Sequence, residues 1–444
     1  MTEFKFIYDW MVAGNDAPEY RQTMATLELH IGDVNLMQNQ DIWSKTIRKW
    51  VLVSAYPLAM WLASSWWRLN WEPLPADDAR PAVDWRMAHE LGAANHGFVW
   101  PQIIFASDGE VMQVWAVQMS DDNQSVRYVN GLERPASVRL TDFRQEAEDF
   151  VTGVLNRLEA VDCQNTELSN LWGLIQEEGV DPESAKYRRL EAEMGYDPDE
   201  CPKELMDQAL ELDRQIGTAT LSELAPVYGK SQAPLTVIKE IAESRGLVGR
   251  PSAPRRPHGV PVPQGVHWQR GVAAARELRQ TLGKRHDMMA TAYLCELLGL
   301  DEHEVEQWSP VKRNNAAIAV PEDGDQFKFI PRKKHPISKR FELARFLGDY
   351  LMTDHTNGQW LASTDLRTSR QKYQRAFAAE FLCPIAQLEE FLHGDYSESA
   401  IEDAAEHFQV STRAVNSLLV NNGLIQHSLF FDYADATLPY ELGI

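Results

Sequence analysis

Hydrophobic residues in the first third of the chain form strand-like runs followed by a helical stripe. The apolar runs Ile103-Ile104-Phe105 and Val111-Met112-Gln113-Val114-Trp115 flank the segment Ser107-Asp108-Gly109. Asp-Gly between two β-prone runs is a strong signal for a tight hairpin. Farther along, apolar residues at helical spacing predict a helix over Asp142–Leu158. We therefore predict an α+β module with a β-hairpin over residues 1–159.

One long apolar stretch, Val51–Trp67, is near the minimum length for crossing a membrane. It contains Pro57 and three serines, so we predict a buried core helix instead of a membrane span. Tryptophan rings bury a large apolar area, and we expect the clustered tryptophans to lie in the core. These are Trp43, Trp50, Trp61, Trp66, Trp67, Trp71 and Trp85.

The remaining pattern predicts four further regions. Residues 160–228 are helical, residues 229–267 form a Pro-rich linker or arm, residues 268–425 form a second domain, and residues 426–444 form a C-terminal tail. The second domain is predicted to begin with two helices and two strands, followed by a longer helix. Their ranges are Gly271–Leu282, His286–Leu298, Ala316–Val320, Phe327–Ile330 and Arg340–Leu351. The predicted fold class is α+β, predominantly helical.

Composition indicates which classes of partner and which cellular compartment are favoured. The net charge of −22 disfavours broad binding to nucleic acid, since phosphate binding depends on clustered Lys and Arg. The four cysteines are far apart, with no C-x-x-C pair, which favours a reducing cytoplasm. The first residues lack the basic-then-apolar layout of a signal peptide.

The longer helix of the second domain has an informative residue spacing. It reads Arg340-Phe341-Glu342-Leu343-Ala344-Arg345-Phe346-Leu347-Gly348-Asp349-Tyr350-Leu351. It resembles the metal-binding helix of the ImmA/IrrE family of zinc metallopeptidases, roughly Arg-Phe-Thr-Leu-Ala-His-Glu-Leu-Gly-His-Tyr-Leu. In such helices two His residues four apart hold one metal, and the Glu between them activates water. On this alignment the two His positions fall on Arg345 and Asp349, and the Glu position falls on Phe346.

Two downstream segments extend the resemblance over roughly the last third of the chain. Ala376–Pro384 is similar to the family's second helix, Asn-x-Phe-Ala-Ala-Glu-Leu-Leu-Met-Pro, and Ala404–Val415 is similar to its helix-turn-helix-like end. In the family, an acidic residue about one turn before the Phe of the second helix completes the metal site. Gln371 and Tyr373 occupy the candidate positions here. The resemblance implies a zincin-like domain over residues 268–425.

Every metal ligand expected from the family is replaced. Zinc needs imidazole, thiolate or carboxylate donors, normally three from the protein at a catalytic site. The Arg345 guanidinium has no acceptor lone pair, and Phe346 cannot serve as a general base. Asp349 alone would bind zinc weakly. We therefore predict that zinc has been lost, with no catalytic residue, no metal ligand and no cofactor.

The replacing residues define a predicted former active-site cleft, formed by Arg345, Phe346, Asp349, Gln371 and Tyr373. Arg345 and Asp349 lie four residues apart with opposite charges, so we expect them to pair on one helix face. Three interpretations remain: a decayed site whose residues simply pack, a pocket that binds a peptide without cutting it, and a rebuilt metal site. The rebuilt site would use Asp349, Asp354, His355, Glu380 or Cys383.

A dense basic run precedes the longer helix. Arg332, Lys333 and Lys334 are followed by Lys339-Arg340, beside an otherwise acidic chain. Such a run is either a solvated loop or a surface for an acidic partner. We take Arg332, Lys333 and Lys334 as candidate partner-binding residues.

Family members cut repressors or regulators in stress, phage or mobile-element settings. The resemblance therefore implies a cytoplasmic pseudo-peptidase that binds a protein or peptide partner in regulation, stress response or phage defence. We expect no membrane partner and no nucleic-acid partner. One alternative is an active zinc endopeptidase with non-standard ligands that cleaves a regulator. A second is a DNA-binding transcriptional regulator, which the single cation of Thr412–Asn421, Arg413, disfavours.

Overall fold

A computed structural model describes residues 1–76, 81–119, 126–230, 234–254, 265–285, 288–323, 325–353 and 359–425. Helices account for 51% and strands for 17%, so the predicted mixed α+β, mainly helical class is confirmed. The chain divides into two compact units: Met1–Cys201, and the described residues from Pro202 onward. The boundary lies inside the stretch 160–228, which the residue pattern predicts to be one helical region.

The described strands of the first unit form three small antiparallel sheets. One contains β1, β2, β3 and β6, the second has the order β10-β8-β7, and the third has the order β5-β4-β9. The strands are β1 (Phe4–Trp10), β2 (Met24–Ile31), β3 (Val34–Asn35), β4 (Asn39–Asp41), β5 (Thr46–Arg48), β6 (Val51–Ser54), β7 (Gln102–Ser107), β8 (Val111–Val117), β9 (Val126–Tyr128) and β10 (Ala136–Arg139).

Strands β7 and β8 form the hairpin predicted around Asp-Gly, and they pair along their whole length. At the turn, the Asp108 carboxylate accepts hydrogen bonds from the backbone N–H groups of Glu110 and Val111, at 3.0 and 2.9 Å. Gly109 has a φ of +96°, a left-handed conformation that glycine adopts without steric cost. The hairpin prediction is confirmed.

Helices cover these sheets. They are α1 (Pro18–Gln22), α2 (Ala55–Ser64), α3 (Trp66–Trp71), α4 (Val83–His89), a 3-10 turn (Leu91–Ala94), α5 (Leu140–Ala160), α6 (Glu167–Val180) and α7 (Pro182–Glu193). Helix α5 contains the predicted helix Asp142–Leu158 and extends it at both ends. One face of α5 is buried in the core, including Phe143, Phe150 and Val154.

The apolar stretch Val51–Trp67 forms β6, α2 and the start of α3, and α2 is buried as predicted. Within the described residues, no helix combines the length and apolar character needed to cross a membrane. Most of the clustered tryptophans are buried in the core or packed against it. Trp43 is an exception, at 86% exposed, because it lies in the turn after β4 whose backbone is held by Asp41. The core prediction is wrong for Trp43.

The second unit contains longer helices around one sheet. Its helices are α8 (Lys203–Ile216), α9 (Thr218–Tyr228), α10 (Thr236–Glu243), α11 (His267–Thr281), α12 (Thr291–Leu298), α13 (Glu302–Gln307), α14 (Pro336–Met352), α15 (Ser369–Leu382), α16 (Ile385–Leu392), α17 (Glu398–Phe408) and α18 (Thr412–Asn421). Its strands are β11 (Leu247–Gly249), β12 (Ala316–Pro321), β13 (Phe327–Ile330) and β14 (Leu361–Thr364). Both predicted strands are therefore present.

The region 229–267 is not simply a linker. It contains α10, and its strand β11 pairs antiparallel with β13 at the edge of the sheet. Leu247 and Gly249 are buried there. The Pro-rich residues 255–264 at the centre of the predicted arm, and the predicted tail 426–444, lie outside the described residues. The linker prediction is wrong for the part that joins the sheet.

Helices α14 and α15 lie beside a four-stranded antiparallel sheet of order β11-β13-β12-β14. They approach closely at Gly348, where an added Cβ would lie 2.7 Å from the ring of Phe377. On α14, the neighbouring Phe346 packs edge-on against Phe329 of β13, with ring centroids 5.6 Å apart. The small residue permits the helix contact, and the aromatic pair attaches α14 to the sheet.

Candidate functional site

Helix α14 carries the residues aligned with the family's metal ligands. It begins after His335 with Pro336 in its first turn, where proline is favoured because its fixed φ suits the helix. From Lys339 to Tyr350 all but one residue are buried, including Arg345, Phe346 and Asp349. Polar side chains on this helix therefore need partners inside the protein.

Arg345 is 4% exposed and reaches the strand β14. Its Nη2 donates to the backbone carbonyl of Thr364 at 2.7 Å and also to Oε1 of Gln371. Its Nε is buried and has no hydrogen-bond partner among the described residues. Burial, reinforced by the nearby charge of Arg332, lowers the pKa of Arg345 to about 10. The guanidinium is thus held by neutral oxygens.

Asp349 pairs with Arg370 of α15, and the predicted Arg345–Asp349 ion pair is wrong. Arg370 donates from Nε to Oδ1 at 2.7 Å and from Nη2 to Oδ2 at 2.8 Å, and the Ala362 backbone N–H also donates to Oδ2 at 3.1 Å. The fork of a guanidinium matches a carboxylate in two parallel bonds, and α15 presents that fork to Asp349. Burial alone would lower the pKa of Arg370, but Asp349 outweighs burial and raises it.

Gln371 joins the two halves of this network. Its Oε1 accepts from the Thr364 backbone N–H at 2.9 Å as well as from Arg345. Its Nε2 donates to Oε2 of Glu223 at 2.8 Å and to the Ala362 carbonyl at 3.1 Å. The amide therefore bridges α14, β14 and α9 with both ends of its side chain.

Glu223 of α9 is fully enclosed within the second unit. It accepts from the Thr368 hydroxyl at 2.6 Å, in addition to Gln371. Burial raises the pKa of the Glu223 carboxyl, although Arg370, Thr368 and Gln371 act in the opposite direction. We call the set Glu223, Arg345, Asp349, Arg370 and Gln371 the buried polar network.

The structure brings together three of the five predicted cleft residues: Arg345, Asp349 and Gln371. The other two belong to aromatic packing. Phe346 contacts Phe329 of the sheet, and Tyr373 stacks along α15 on Phe377, with centroids 6.5 Å apart. All five predicted cleft residues are buried.

The basic run before α14 is also largely structural. Arg332 is buried and donates to Glu342 at 2.8 Å and to Asp365 at 2.6 Å. Lys333 is half-buried and Lys334 is exposed. The guanidinium of Arg332 already has two carboxylate partners within the protein, and its assignment as a partner-binding residue stays a prediction. The two lysines stay candidates.

Of the residues proposed for a rebuilt metal site, the described ones (Asp349, Glu380 and Cys383) do not form a metal-binding group. Asp354 and His355 lie outside the described residues. Burial raises the pKa of Cys383 to about 12, and Glu380 is bonded to Arg276 at 2.7 Å. Among the described residues, no three His, Cys, Asp or Glu side chains are placed to hold a metal ion. Loss of zinc stays a prediction.

Two members of the network were missed from the sequence. Arg370 directly precedes Gln371, and a cation beside the expected ligand position could have indicated a partner for Asp349. Glu223 is 148 residues from Gln371, and no local pattern indicates that contact. All five members of the network are buried and joined by hydrogen bonds, so the network can fix the geometry of α9, α14, α15 and β14.

No protein-family model, curated protein or solved structure matches this chain. The likeness of α14 and α15 to zinc-peptidase helices therefore rests on the residues of the chain.

Proposed function

We propose that the second unit is a non-catalytic, ImmA/IrrE-like pseudo-peptidase domain that acts by binding a protein or peptide partner. The observation that carries this proposal is the state of Asp349, the one residue aligned with a family ligand that could still bind metal. Both of its oxygens are engaged by Arg370, and one also accepts from Ala362. Binding zinc through Asp349 would require breaking this buried pair.

The other residues aligned with the family's active site also support a non-catalytic domain. The Arg345 cation would repel a divalent ion at the position of the other His. Phe346, aligned with the general base, has an apolar ring packed on Phe329. Gln371 uses its amide to hold Arg345 and Glu223. In this proposal the space of a zincin-like metal site is filled by hydrogen bonds that hold α9, α14, α15 and β14 in one arrangement.

Partner contact would then use the surface of a rigid domain. Lys334 is exposed and Lys333 half-buried at the start of α14, and this pair could meet an acidic segment. Helices α17 and α18, joined through Gln409 in a left-handed conformation, would form the helix-turn-helix-like end. The resemblance places such a domain in cytoplasmic regulation, stress response or phage defence.

Metal analysis is the direct test. Full-length protein would be equilibrated with zinc, desalted, and measured for zinc per chain by mass spectrometry, with cleavage of co-encoded proteins assayed in parallel. We expect zinc well below one ion per chain and no chelator-sensitive cleavage. Stoichiometric zinc with such cleavage would establish the alternative, an active endopeptidase with unusual ligands.

Restoring the family motif tests the alignment. The triple variant Arg345→His, Phe346→Glu, Asp349→His should give little proteolysis and weak zinc binding, because the third ligand is still missing. Adding Gln371→Glu supplies a carboxylate where the network places Gln371 against residue 345. Tighter zinc binding by the quadruple variant than by the triple one would support the alignment. Robust cutting by the triple variant would mean that another ligand exists.

Partner binding through Lys333 and Lys334 can be tested with charge-reversal variants and a control variant. Tagged wild-type protein would be compared with the variant Lys333→Glu, Lys334→Glu in capture from native cells. The control is Lys312→Glu, which reverses an exposed charge that contacts Glu240 at 3.3 Å. Loss of a captured protein in the double variant but not in the control would support this surface. Equal capture by all three would exclude it.

A further inference from the structure

The first unit contains a pocket that the proposed function does not use. It encloses about 430 Å³ between α2, α3, α4 and the 3-10 turn. That volume lies in the range typical of small-molecule sites. Charged groups occupy one side of the pocket, and apolar side chains occupy the other.

The charged side is built around Arg68. Its guanidinium is almost fully buried and donates to Glu72 at 2.8 Å, to Asp84 at 3.0 Å and to Asp197 at 3.3 Å. Asp84 and Asp197 line the pocket together with Arg68, and their side chains are 49% and 40% exposed. Among the described lining residues, one guanidinium and two carboxylates give a formal net negative charge.

Asp197 keeps capacity for a ligand. Among the described residues, its two oxygens receive long contacts of 3.3 Å from Nη1 of Arg68. A carboxylate offers about four acceptor positions, and the Asp197 side chain is 40% exposed, so it can accept further hydrogen bonds. Asp84 and Asp197 both contact the guanidinium of Arg68, so their carboxylates lie close enough together to meet one cation.

The apolar side consists of Trp61, Met60, Met87 and small alanines. The Trp61 indole N–H donates to the Met87 carbonyl at 3.0 Å, which ties the wall to α4. The Met87 side chain is 56% exposed at the mouth, and methionine adapts its shape to different apolar groups. An alkyl stem could lie along this wall.

The mouth is held in an unusual backbone conformation. Asn95, His96 and Gly97 all have positive φ, at 43°, 60° and 77°. The turn is fixed by a hydrogen bond from the Trp100 indole to the Asn95 carbonyl and by a 2.6 Å contact between His96 and the Tyr20 hydroxyl. Left-handed non-glycine residues cost free energy and cluster at ligand sites, and His96 lines this pocket.

We propose that this pocket binds an organic cation with an apolar stem, that is, an alkylguanidinium or alkylammonium group. The carboxylates would pair with the cation while the stem lies on Trp61 and Met87. The negative lining repels anions, and a neutral ligand would have to desolvate the carboxylates without a compensating charge. The cation could belong to a free amine or to the Arg or Lys side chain of a peptide.

Binding would be measured by calorimetry on the full chain with n-butylguanidine and with n-butylurea, a neutral ligand of similar shape. We expect a Kd of about 1 mM for the guanidine, typical of so few atoms, and at least ~10-fold weaker binding of the urea. Equal affinity of the two, or no heat with the guanidine at several times that concentration, would overturn the proposal.

Variants localise the binding. Asp84→Asn and Asp197→Asn should each weaken n-butylguanidine by roughly 5-fold, whereas Glu183→Gln, an exposed acid of α7 outside the lining, should change it by less than about 2-fold. Ser64→Trp fills the pocket from an exposed position without changing its charge, and it should abolish binding. Thermal melting followed by circular dichroism verifies that each variant is folded. Unchanged binding in Ser64→Trp would place the ligand elsewhere and contradict the proposal.

Two peptide probes distinguish the source of the cation. Acetyl-Leu-Arg-Leu-amide would be compared with its citrulline counterpart, which lacks the charge. Binding of the arginine peptide about 10-fold tighter than n-butylguanidine would identify a peptide ligand. Exclusion of the peptide while the free guanidine binds would identify a free amine. Either result would be consistent with a pocket that binds a cation. Binding of the citrulline peptide as tightly as the arginine peptide would contradict the proposal.

Discussion

Each of the two units contains a buried arginine paired with at least one carboxylate, but the two arrangements differ in how far their carboxylates are exposed. In the second unit, Arg370 and Asp349 pair through two short bonds, and the Asp349 side chain has no solvent exposure. In the first unit, Arg68 meets Asp84 and Asp197, whose carboxylates are partly exposed at a pocket. The same residue types therefore form a closed network in one unit and an open site in the other.

The difference lies in how many acceptor positions are occupied from within the protein. Asp349 receives three hydrogen bonds from Arg370 and Ala362, so little capacity remains for a ligand. Within the described part of the chain, Asp197 receives contacts of 3.3 Å from one nitrogen of Arg68. A ligand site needs groups that are fixed in place and can still form hydrogen bonds. Of the two arrangements, the one formed by Asp84 and Asp197 beside Arg68 has that property.

The largest expected effect on stability comes from removing the carboxylate of the buried Asp349–Arg370 pair. Asp349→Ala leaves the Arg370 guanidinium buried without a carboxylate, which should destabilise the second unit by about 3–5 kcal/mol. Hydrogen exchange of peptides from α15 and β14 measures the opening free energy of that unit separately from the first.

The matched variant in the first unit is Asp197→Ala. Because its carboxylate is partly exposed and Arg68 keeps Glu72 and Asp84, we expect a loss below about 1 kcal/mol in exchange of α3 peptides. Similar losses for both variants would show that the closed pair and the partly exposed pair contribute equally to stability, which would contradict the difference between the two units.

A smaller effect is expected where α14 and α15 meet. Gly348→Ala would place a Cβ 2.7 Å from the Phe377 ring in a fully packed contact, and we expect a loss of about 1–3 kcal/mol. Gly173→Ala in α6 is the control, since an added Cβ there meets no atom within 4 Å. At that exposed helical position alanine should stabilise by roughly 0.5–1 kcal/mol. Thermal melting of both variants gives the sign of each change.

Local patterns were sufficient for several elements of the fold. Asp108-Gly109 predicted the hairpin because the turn is determined by those two residues and their neighbours. The stripe of apolar residues predicted α5 because one face of that helix is buried. The strand β11 could not be predicted in this way, because its three residues are stabilised by pairing with β13, about 80 residues later.

For the candidate site, the sequence predicted which residues would be buried together but not which atoms would bond. Arg345 and Asp349 share a helix face, so a local rule paired them. The structure instead gives Asp349 the guanidinium of Arg370 from α15 and gives Arg345 the amide of Gln371. Partners on other elements displace a local pair because helix-surface pairs contribute only about 0.5 kcal/mol.

The smallest effect concerns the pH dependence of the closed network. Burial raises the pKa of Glu223 in the folded state above its value in the unfolded chain. Its contribution to stability is therefore fully present below about pH 4, the unfolded pKa, and is lost as pH rises through the folded pKa. Relative to Glu223→Gln, the wild-type protein should lose stability as pH increases over that window, measured by exchange of α9 peptides.

Asp365 provides a control of opposite sign in the same unit. Burial alone would raise the pKa of its carboxyl, but Arg332 outweighs burial and holds that pKa below its usual value. Relative to Asp365→Asn, the wild-type protein should lose stability as pH falls through the folded pKa of Asp365, at a pH below about 4. Opposite slopes for the two acids would show that enclosure, and not the mere proximity of an arginine, distinguishes Glu223. Slopes of the same sign would mean that Arg370 controls the Glu223 carboxyl as Arg332 controls Asp365.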